Sequence, residues 1–356
     1  MKIAYLAGPK KIGIRQKTPP TIEKGCCLVA VKACAICGSE KEVWAKGGHP
    51  DPEFANDQDC AWFGHEAVGE IVEVGEGVLT WRKGDRVALY NIIGCGKCRW
   101  CLQGLETYCR NSRTVGQGFR EYALVPWEGL LPLPDGVSFE LGTLMTDTLG
   151  TALRAVRRAE IKQGEAVAVV GLGPIGLLIA QAAKYFGAGQ VIGVDSLENR
   201  RKIAAEFSLD EFMVGGTGMI EKIKAVTNDG ADVVFNTVAS SKVCQQGYDA
   251  LCPGGRLVSI VSMPEKIDWF SERRVIGCAY FLKKEYQENI DLAMSGCFNV
   301  GKLLTHRFSF GEIDQAFGRR FENQAETLKV VVIMNEKEIA RESSPFVQKL
   351  RRDRRE

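Results

Sequence analysis

Ala166-Val167-Ala168-Val169-Val170-Gly171-Leu172-Gly173-Pro174-Ile175-Gly176 is the stretch from which the fold can be read. Five apolar, mostly β-branched residues predict a fully buried strand. The glycines after it open a helix that runs to about Phe186. In a strand–turn–helix of this kind Gly171 permits the tight turn. Gly173 lets a pyrophosphate approach backbone N–H groups, and Gly176 lets helix and strand pack closely. The helix N-terminus, at Pro174 and Ile175, adds partial positive charge. A second strand, Gln190 to Val194, leads to Asp195, about 20 residues beyond the motif. That carboxylate can accept hydrogen bonds from both adenosine ribose hydroxyls and would repel a 2′-phosphate, so NAD is expected over NADP. Arg200 and Arg201 lie a few residues on, within reach of a phosphate, although exposed helix charge is their ordinary role. The candidate cofactor set is Gly171, Gly173, Pro174, Ile175, Gly176, Asp195 and Arg200.

The pattern extends outward from this unit. Asn199 to Phe207 reads as a second helix, and Asp232 to Asn236 and Arg256 to Val261 as further strands, with helical segments before each. Alternating strands and helices imply a parallel sheet with helices on both faces. Before it, Thr148 to Arg158 is helical, whereas the first 145 or so residues read as strands and loops: Cys26–Ile36, Ala67–Val74, Asp85–Tyr90 and Glu121–Val125. A helix from about Glu285 to Ser295 and a strand Lys329 to Ile333 follow the alternating region. The last twenty residues are charged and polar and read as a solvated tail.

A third feature is the ladder Cys95, Cys98, Cys101 and Cys109, in which two Cys-x-x-Cys steps share a cysteine. Four thiolates at this spacing suit a closed tetrahedral zinc site, which is structural because no coordination position stays open. Disulfides between cysteines this close would form strained, very short loops. A second metal set is less conspicuous. Cys37 follows the strand at Ile36, and His65 and Glu66 lie in Gly64-His65-Glu66-Ala67-Val68-Gly69. Thiolate, imidazole and carboxylate are suitable ligands for a zinc with a position left for water or substrate. Taken singly, each of these residues is more often part of a core.

Together these motifs resemble the zinc-containing medium-chain dehydrogenases, the alcohol, polyol and threonine dehydrogenase superfamily. The Gly64–Gly69 segment continuing to Gly75 and Val78, the Cys95–Cys109 lobe, Gly84-Asp85-Arg86-Val87, the Pro132–Pro134 segment and the Gly171–Gly176 motif with Asp195 occur in the family's order, from residue 1 to about 335. The resemblance implies an α/β protein with a GroES-like, partly open β-barrel catalytic domain plus a Rossmann doubly wound parallel-sheet cofactor domain. It places the catalytic domain at 1–147 and 281–356, with a structural-zinc lobe at about 91–112, and the cofactor domain at 148–280. It implies two zinc ions per subunit, NAD, and a homodimer or homotetramer. By the same resemblance Asp147 is the further ligand of the catalytic zinc, unless it merely caps the helix at Thr148. Glu66 is a direct ligand or a near neighbour that exchanges in. Ser39 matches the position whose hydroxyl bonds the substrate oxygen. Glu42 stands where many members have a histidine of the proton relay. It is either a relay carboxylate, a contact to a polyhydroxylated substrate, or a solvated loop residue.

The segment 47–63 also departs from the family. It carries His49, Asp51, Glu53, Asp57 and Asp59 with Phe54, Trp62 and Phe63. It reads either as a variable surface loop or as an acidic border favouring amino-bearing or polyhydroxylated substrates.

Composition narrows the partners. The 356 residues suggest two domains, and a net charge of +2 gives no case for nucleic acid. No apolar run reaches membrane-spanning length. Thirteen cysteines without a secretory leader point to a reducing, cytoplasmic compartment. The expected activity is hydride transfer from a secondary alcohol of a polyol, sugar or amino-sugar or cyclitol-like compound to NAD. The alternatives are a dismutase or epimerase that recycles tightly bound NAD, and a non-catalytic member of the fold.

Overall fold

The computed structural model describes residues 1–48, 63–116 and 118–334. The expectations for His49, Asp51, Glu53, Phe54, Asp57, Asp59 and Trp62, and for the charged C-terminal tail, lie outside the described residues. The chain divides into two compact units, residues 1–146 with the chain from Leu304 onward, and residues 147–303.

In the first unit the strand Cys26–Ala35 is the organiser. It pairs antiparallel with Glu66–Val74, with Tyr122–Pro126 and with Lys329–Ile333. The rest of this seven-stranded sheet adds Arg86–Leu89 and Leu130–Pro132 beyond Glu66–Val74, and Leu304–Ser309 beyond Lys329–Ile333. Cys27, Val29, Val31, Ile71, Val87, Val125, Val330 and Val332 turn into one core. An aromatic cluster closes it: Phe63 stacks on Phe317 with ring centroids 5.0 Å apart, and Phe119 meets both rings. The C-terminal strand thus completes a sheet begun by the N-terminal half. Periodicity alone did not place the helices Phe139–Met145 and Ile313–Glu322 or the strands Lys11–Gln16 and Leu304–Ser309.

The second unit is the parallel sheet. Its six strands, numbered along the chain from Ala166–Val170 to Arg274–Gly277, lie in the order 3-2-1-4-5-6 and all pair parallel. This is the doubly wound order, with its switch point between Ala166–Val170 and Ala231–Asn236. The expected return to the first unit at 281 is corrected to 304. The helix Tyr286–Met294 stays with the helix Asp147–Ala159, because Arg154 donates to Glu285 at 2.7 Å and Arg157 to Asn289 at 2.8 Å. Among the described residues no helix is long and apolar enough to cross a membrane.

The central pairing in the first unit is tight enough to test. A Cβ on Gly69 would stand 2.3 Å from the Ala30 carbonyl oxygen and 2.7 Å from Val29. Gly69→Ala is therefore expected to cost about 1–3 kcal/mol through overpacking, read as a lower urea midpoint. An unchanged midpoint would show that the strands can separate without loss.

Candidate active site

The site of the first unit is built where the strand Cys26–Ala35 ends. Ile36 carries the chain to Cys37, and a short 3-10 turn, Gly38–Glu40, leads into the helix Lys41–Lys46. Across the sheet Ala35 faces Glu66, so His65 and Glu66 are set beside that strand end by register. Asp147 is joined to Thr146, the last residue of the first unit before the division. The ligand atoms of Cys37, His65 and Asp147 lie within 4.8 Å of one another, and all three residues are buried. Donors about 2.0–2.3 Å from a tetrahedral zinc lie roughly 3.3–3.8 Å apart, so the three side chains would draw together around one ion. The donor set, one thiolate, one imidazole and one carboxylate, suits zinc with a position left open. Asp147 begins the helix Asp147–Ala159, and its Oδ1 accepts from the Thr151 hydroxyl at 2.6 Å.

Glu66 does not join that cluster. Its carboxylate is wholly buried and ion-paired with the Lys329 ammonium, itself only 2% exposed. Of the two readings of Glu66, direct ligand or near neighbour, its place here is that of a buried neighbour whose charge Lys329 holds. Burial works against the Lys329 ammonium, but the charges of Glu66 and Cys37 outweigh it and raise its pKa. The lysine had a signal in the sequence: it opens the otherwise apolar strand Lys329–Ile333.

Glu40 was also missed. Its carboxylate accepts from the Gly64 N–H at 2.7 Å and the Cys37 N–H at 3.1 Å, and lies 3.8 Å from His65 Nδ1. One buried side chain therefore ties the two metal-binding segments together and stands near the imidazole. Burial pushes the Glu40 carboxyl up to about 7, against the pull of His65 and the Gly64 N–H. Ser39 is exposed beside it. Of the three readings of Glu42, the solvated residue is the one its surroundings fit. It is exposed on its helix and accepts from Lys46, one turn on, at 2.6 Å, which holds its pKa below the ordinary value. It is a surface ion pair at i,i+4, and the relay reading of Glu42 is withdrawn.

The cysteine ladder forms a second group. The thiol sulfurs of Cys95, Cys98, Cys101 and Cys109 also lie within 4.8 Å of one another, and none is in a disulfide. The lobe is small: Ile92–Ile93 pairs with Arg113–Thr114, and the turn Arg99–Leu102 starts at Cys98. Backbone N–H groups of Lys97 and Cys98 point at Cys95 and pull its pKa down to about 6. Such donors prepare a thiolate for a metal.

In the second unit Gly171 follows the first strand at the switch point with φ +93°, a conformation that favours glycine. The Thr237 hydroxyl donates to the Gly171 carbonyl at 2.9 Å. A Cβ at Gly176 would stand 1.9 Å from the Gly171 oxygen, whereas one at Gly173 would meet no protein atom within 4 Å. The first glycine is demanded by packing. The second keeps open the approach to the helix N-terminus, where Pro174 occupies the first turn and Ile175 is half-buried. This is the opening a pyrophosphate requires. The two oxygens of Asp195 accept from the Leu172 and Leu197 N–H groups at 2.8 and 2.9 Å, so the carboxylate is held at the strand end with lone pairs remaining. Arg200 is 5% exposed, not a surface charge, because it begins its helix on the buried side. Arg201 is the exposed one, bonded to Glu198 at 2.6 Å.

Comparison with known proteins agrees with this geometry. Residues 23–135 match the alcohol dehydrogenase GroES-like domain, and residues 174–295 the zinc-binding dehydrogenase domain. The chain belongs to the zinc-type medium-chain alcohol and polyol dehydrogenases. It is 32% identical to an L-threonine 3-dehydrogenase of Bacillus licheniformis, over 84% of this chain and 89% of that one. It is 28% identical to a sorbitol dehydrogenase of Bacillus subtilis, over 94% and 98% of the two chains. The solved structure of 2R,3R-butanediol dehydrogenase from Bacillus subtilis superposes with a TM-score of 0.81 at 29% identity, covering 94% of this chain and 99% of that one.

The buried pair beside the metal ligands can be tested. Lys329→Met strands the Glu66 carboxylate without a counter-charge, and a loss of about 3–5 kcal/mol in stability is expected. Adding Glu66→Leu should recover most of it. Equal stability of Lys329→Met and the parent in thermal unfolding would mean that the pair carries no charge.

Proposed function

We propose that this chain oxidises a secondary alcohol of a polyol, sugar or related compound, with zinc at Cys37, His65 and Asp147 and NAD at the Gly171–Gly176 turn. The single observation that carries the reading is the convergence of those three buried donors within 4.8 Å. They come from separate segments of the chain, and a shared cation would offset the cost of bringing their polar atoms together in a buried place.

When bound, zinc lets an alcohol lose its proton near neutral pH, and NAD accepts the hydride. The remaining work falls to the chain. Cys37, His65 and Asp147 hold the metal, and Glu40 ties the Cys37 and Gly64 backbones together near the imidazole. Ser39, exposed two residues beyond Cys37, offers a hydroxyl to accept the substrate's proton and pass it to solvent. Lys329 keeps Glu66 from competing for the metal. Asp195 takes the ribose hydroxyls and selects NAD against NADP, and Gly173 leaves room for the pyrophosphate. A second zinc, at Cys95, Cys98, Cys101 and Cys109, braces the lobe and takes no part in the reaction. Assembly into a homodimer or homotetramer belongs to the same reading. It is supported by the exposed Trp269 and Phe270, 87% and 98% accessible, in the segment leading to the edge strand Arg274–Gly277.

A panel of polyols, sugars, sugar phosphates and amino alcohols, followed by NADH absorbance, tests the reaction. Cys37→Ser should abolish NAD reduction and lower zinc from two to one per chain, leaving the Cys95–Cys109 ion in place. Full activity in that variant would remove Cys37 from the site. Turnover without added NAD would instead favour a recycled, tightly held cofactor. Asp195→Ala should narrow the preference for NAD over NADP by about tenfold or more, the loss of one charge-assisted hydrogen bond together with one repulsion. An unchanged ratio of kcat/KM values for the two cofactors would place the discrimination elsewhere.

A further inference from the structure

The helix Ile313–Glu322 buries Ile313, Ala316, Phe317, Arg320 and Phe321. That is the i, i+3, i+4, i+7 stripe of an amphipathic helix, and the arginine sits where the pattern calls for an apolar residue. Arg320 is 9% exposed, and its Nε, shut off from solvent, has no hydrogen-bond partner. Glu66 is already held by Lys329, and Glu40 by the N–H groups of Gly64 and Cys37. What touches the guanidinium is the Phe321 ring, 5.6 Å from centroid to Cζ, and the backbone at Gly38, where a Cβ would lie 3.8 Å from Nη2 and meet nothing else. Gly38 and Ser39 are both exposed. The charges of Cys37, Glu66 and Glu40 attract the guanidinium without outweighing its burial, and a buried Nε left without an acceptor is costly. An ordinary core would place leucine or methionine here.

We propose that Arg320 is a binding group for an oxyanion of the ligand, a carboxylate or phosphate, received beside Gly38 and Ser39. The planar fork of arginine suits either anion. Gly38 supplies the space, since any side chain there would stand against Nη2. The site adjoins Cys37, so the anion belongs to a molecule that reaches the metal-binding end of this unit. It is carried either by the alcohol substrate, which would then be an acid sugar or a sugar phosphate, or by the nicotinamide cofactor through its pyrophosphate. The inference rests on the dehydrogenase reading only for the identity of those two sources.

The test compares the parent with Arg320→Met and Arg320→Lys by calorimetric binding and thermal unfolding, neither of which needs turnover. The probes are NADH, inorganic pyrophosphate, gluconate, glucitol 6-phosphate and neutral glucitol. Arg320→Met should unfold close to the parent's temperature, because an apolar side chain relieves the desolvated charge while the attraction of Cys37, Glu66 and Glu40 is lost. It should bind at least one anionic probe about 10- to 100-fold more weakly, the range for a lost hydrogen bond to a charged group. Glucitol binding should not change, and Arg320→Lys should recover part of the loss. Weakening of NADH and pyrophosphate identifies the cofactor as the source. Weakening confined to gluconate or glucitol 6-phosphate identifies the substrate. Anionic probes that bind the parent and Arg320→Met equally would overturn the proposal, as would a loss equal for glucitol and the anions. Should Arg320→Met not fold, Arg320→Gln is read by the same criteria. Absence of NAD reduction with every alcohol would sink the dehydrogenase reading while leaving the anion affinities to be judged alone.

Discussion

Charge buried inside a β-sheet core is the constraint on which the first unit depends. The strand Cys26–Ala35, apolar apart from Lys32, delivers Cys37 into a region that also holds Glu40, Glu66, Lys329 and Arg320. A carboxylate cannot stay ionised there unless a cation or several N–H groups receive it. Glu66 has Lys329, whereas the two backbone donors and the nearby imidazole of Glu40 do not outweigh its burial, which pushes its carboxyl up to about 7. These attachments become possible because the register of the strands brings the groups together. A pair of apolar side chains would stabilise the sheet as well or better, so the expense is consistent with a place that must position metal-binding groups.

The second unit solves a different problem, close approach without a side chain. Its sheet is apolar on both faces, and the turn after the first strand passes under the fourth through the Thr237–Gly171 bond. Gly176 lets the helix sit directly on that turn, while Gly173 leaves the helix end uncovered. The two glycines look alike in the sequence and act in opposite ways, one filled against protein and the other open to a ligand.

Much of this was legible from one chain. The strand–glycine–helix unit and Asp195 stand close together, so local pattern was enough to read them. The cysteine ladder is local as well, and all four sulfurs converge where the spacing required. Legibility fell off with sequence distance. Glu42 was attractive because it stands three residues beyond Ser39, where many family members have a histidine, yet a lysine one turn away on the same helix holds it at the surface. Arg200 seemed a surface charge because its neighbour Arg201 is one, and helix phase alone separates them. Tyr286–Met294 was assigned to the wrong unit, since nothing in its own periodicity names the helix it packs on.

By itself the sequence determined the class of both units, the four-sulfur lobe and the chemistry of the donors, because each of these depends on residue type and short spacing. Tertiary structure decided which acid stands with Cys37 and His65. Glu66 adjoins His65 in the chain but is drawn to Lys329, 263 residues away, whereas Asp147 comes within reach of the thiolate. It also decided that Arg320 lies against Gly38. Pairings of this kind follow from sheet register and helix phase, and those are fixed by burial of the whole core rather than by any local run of residues.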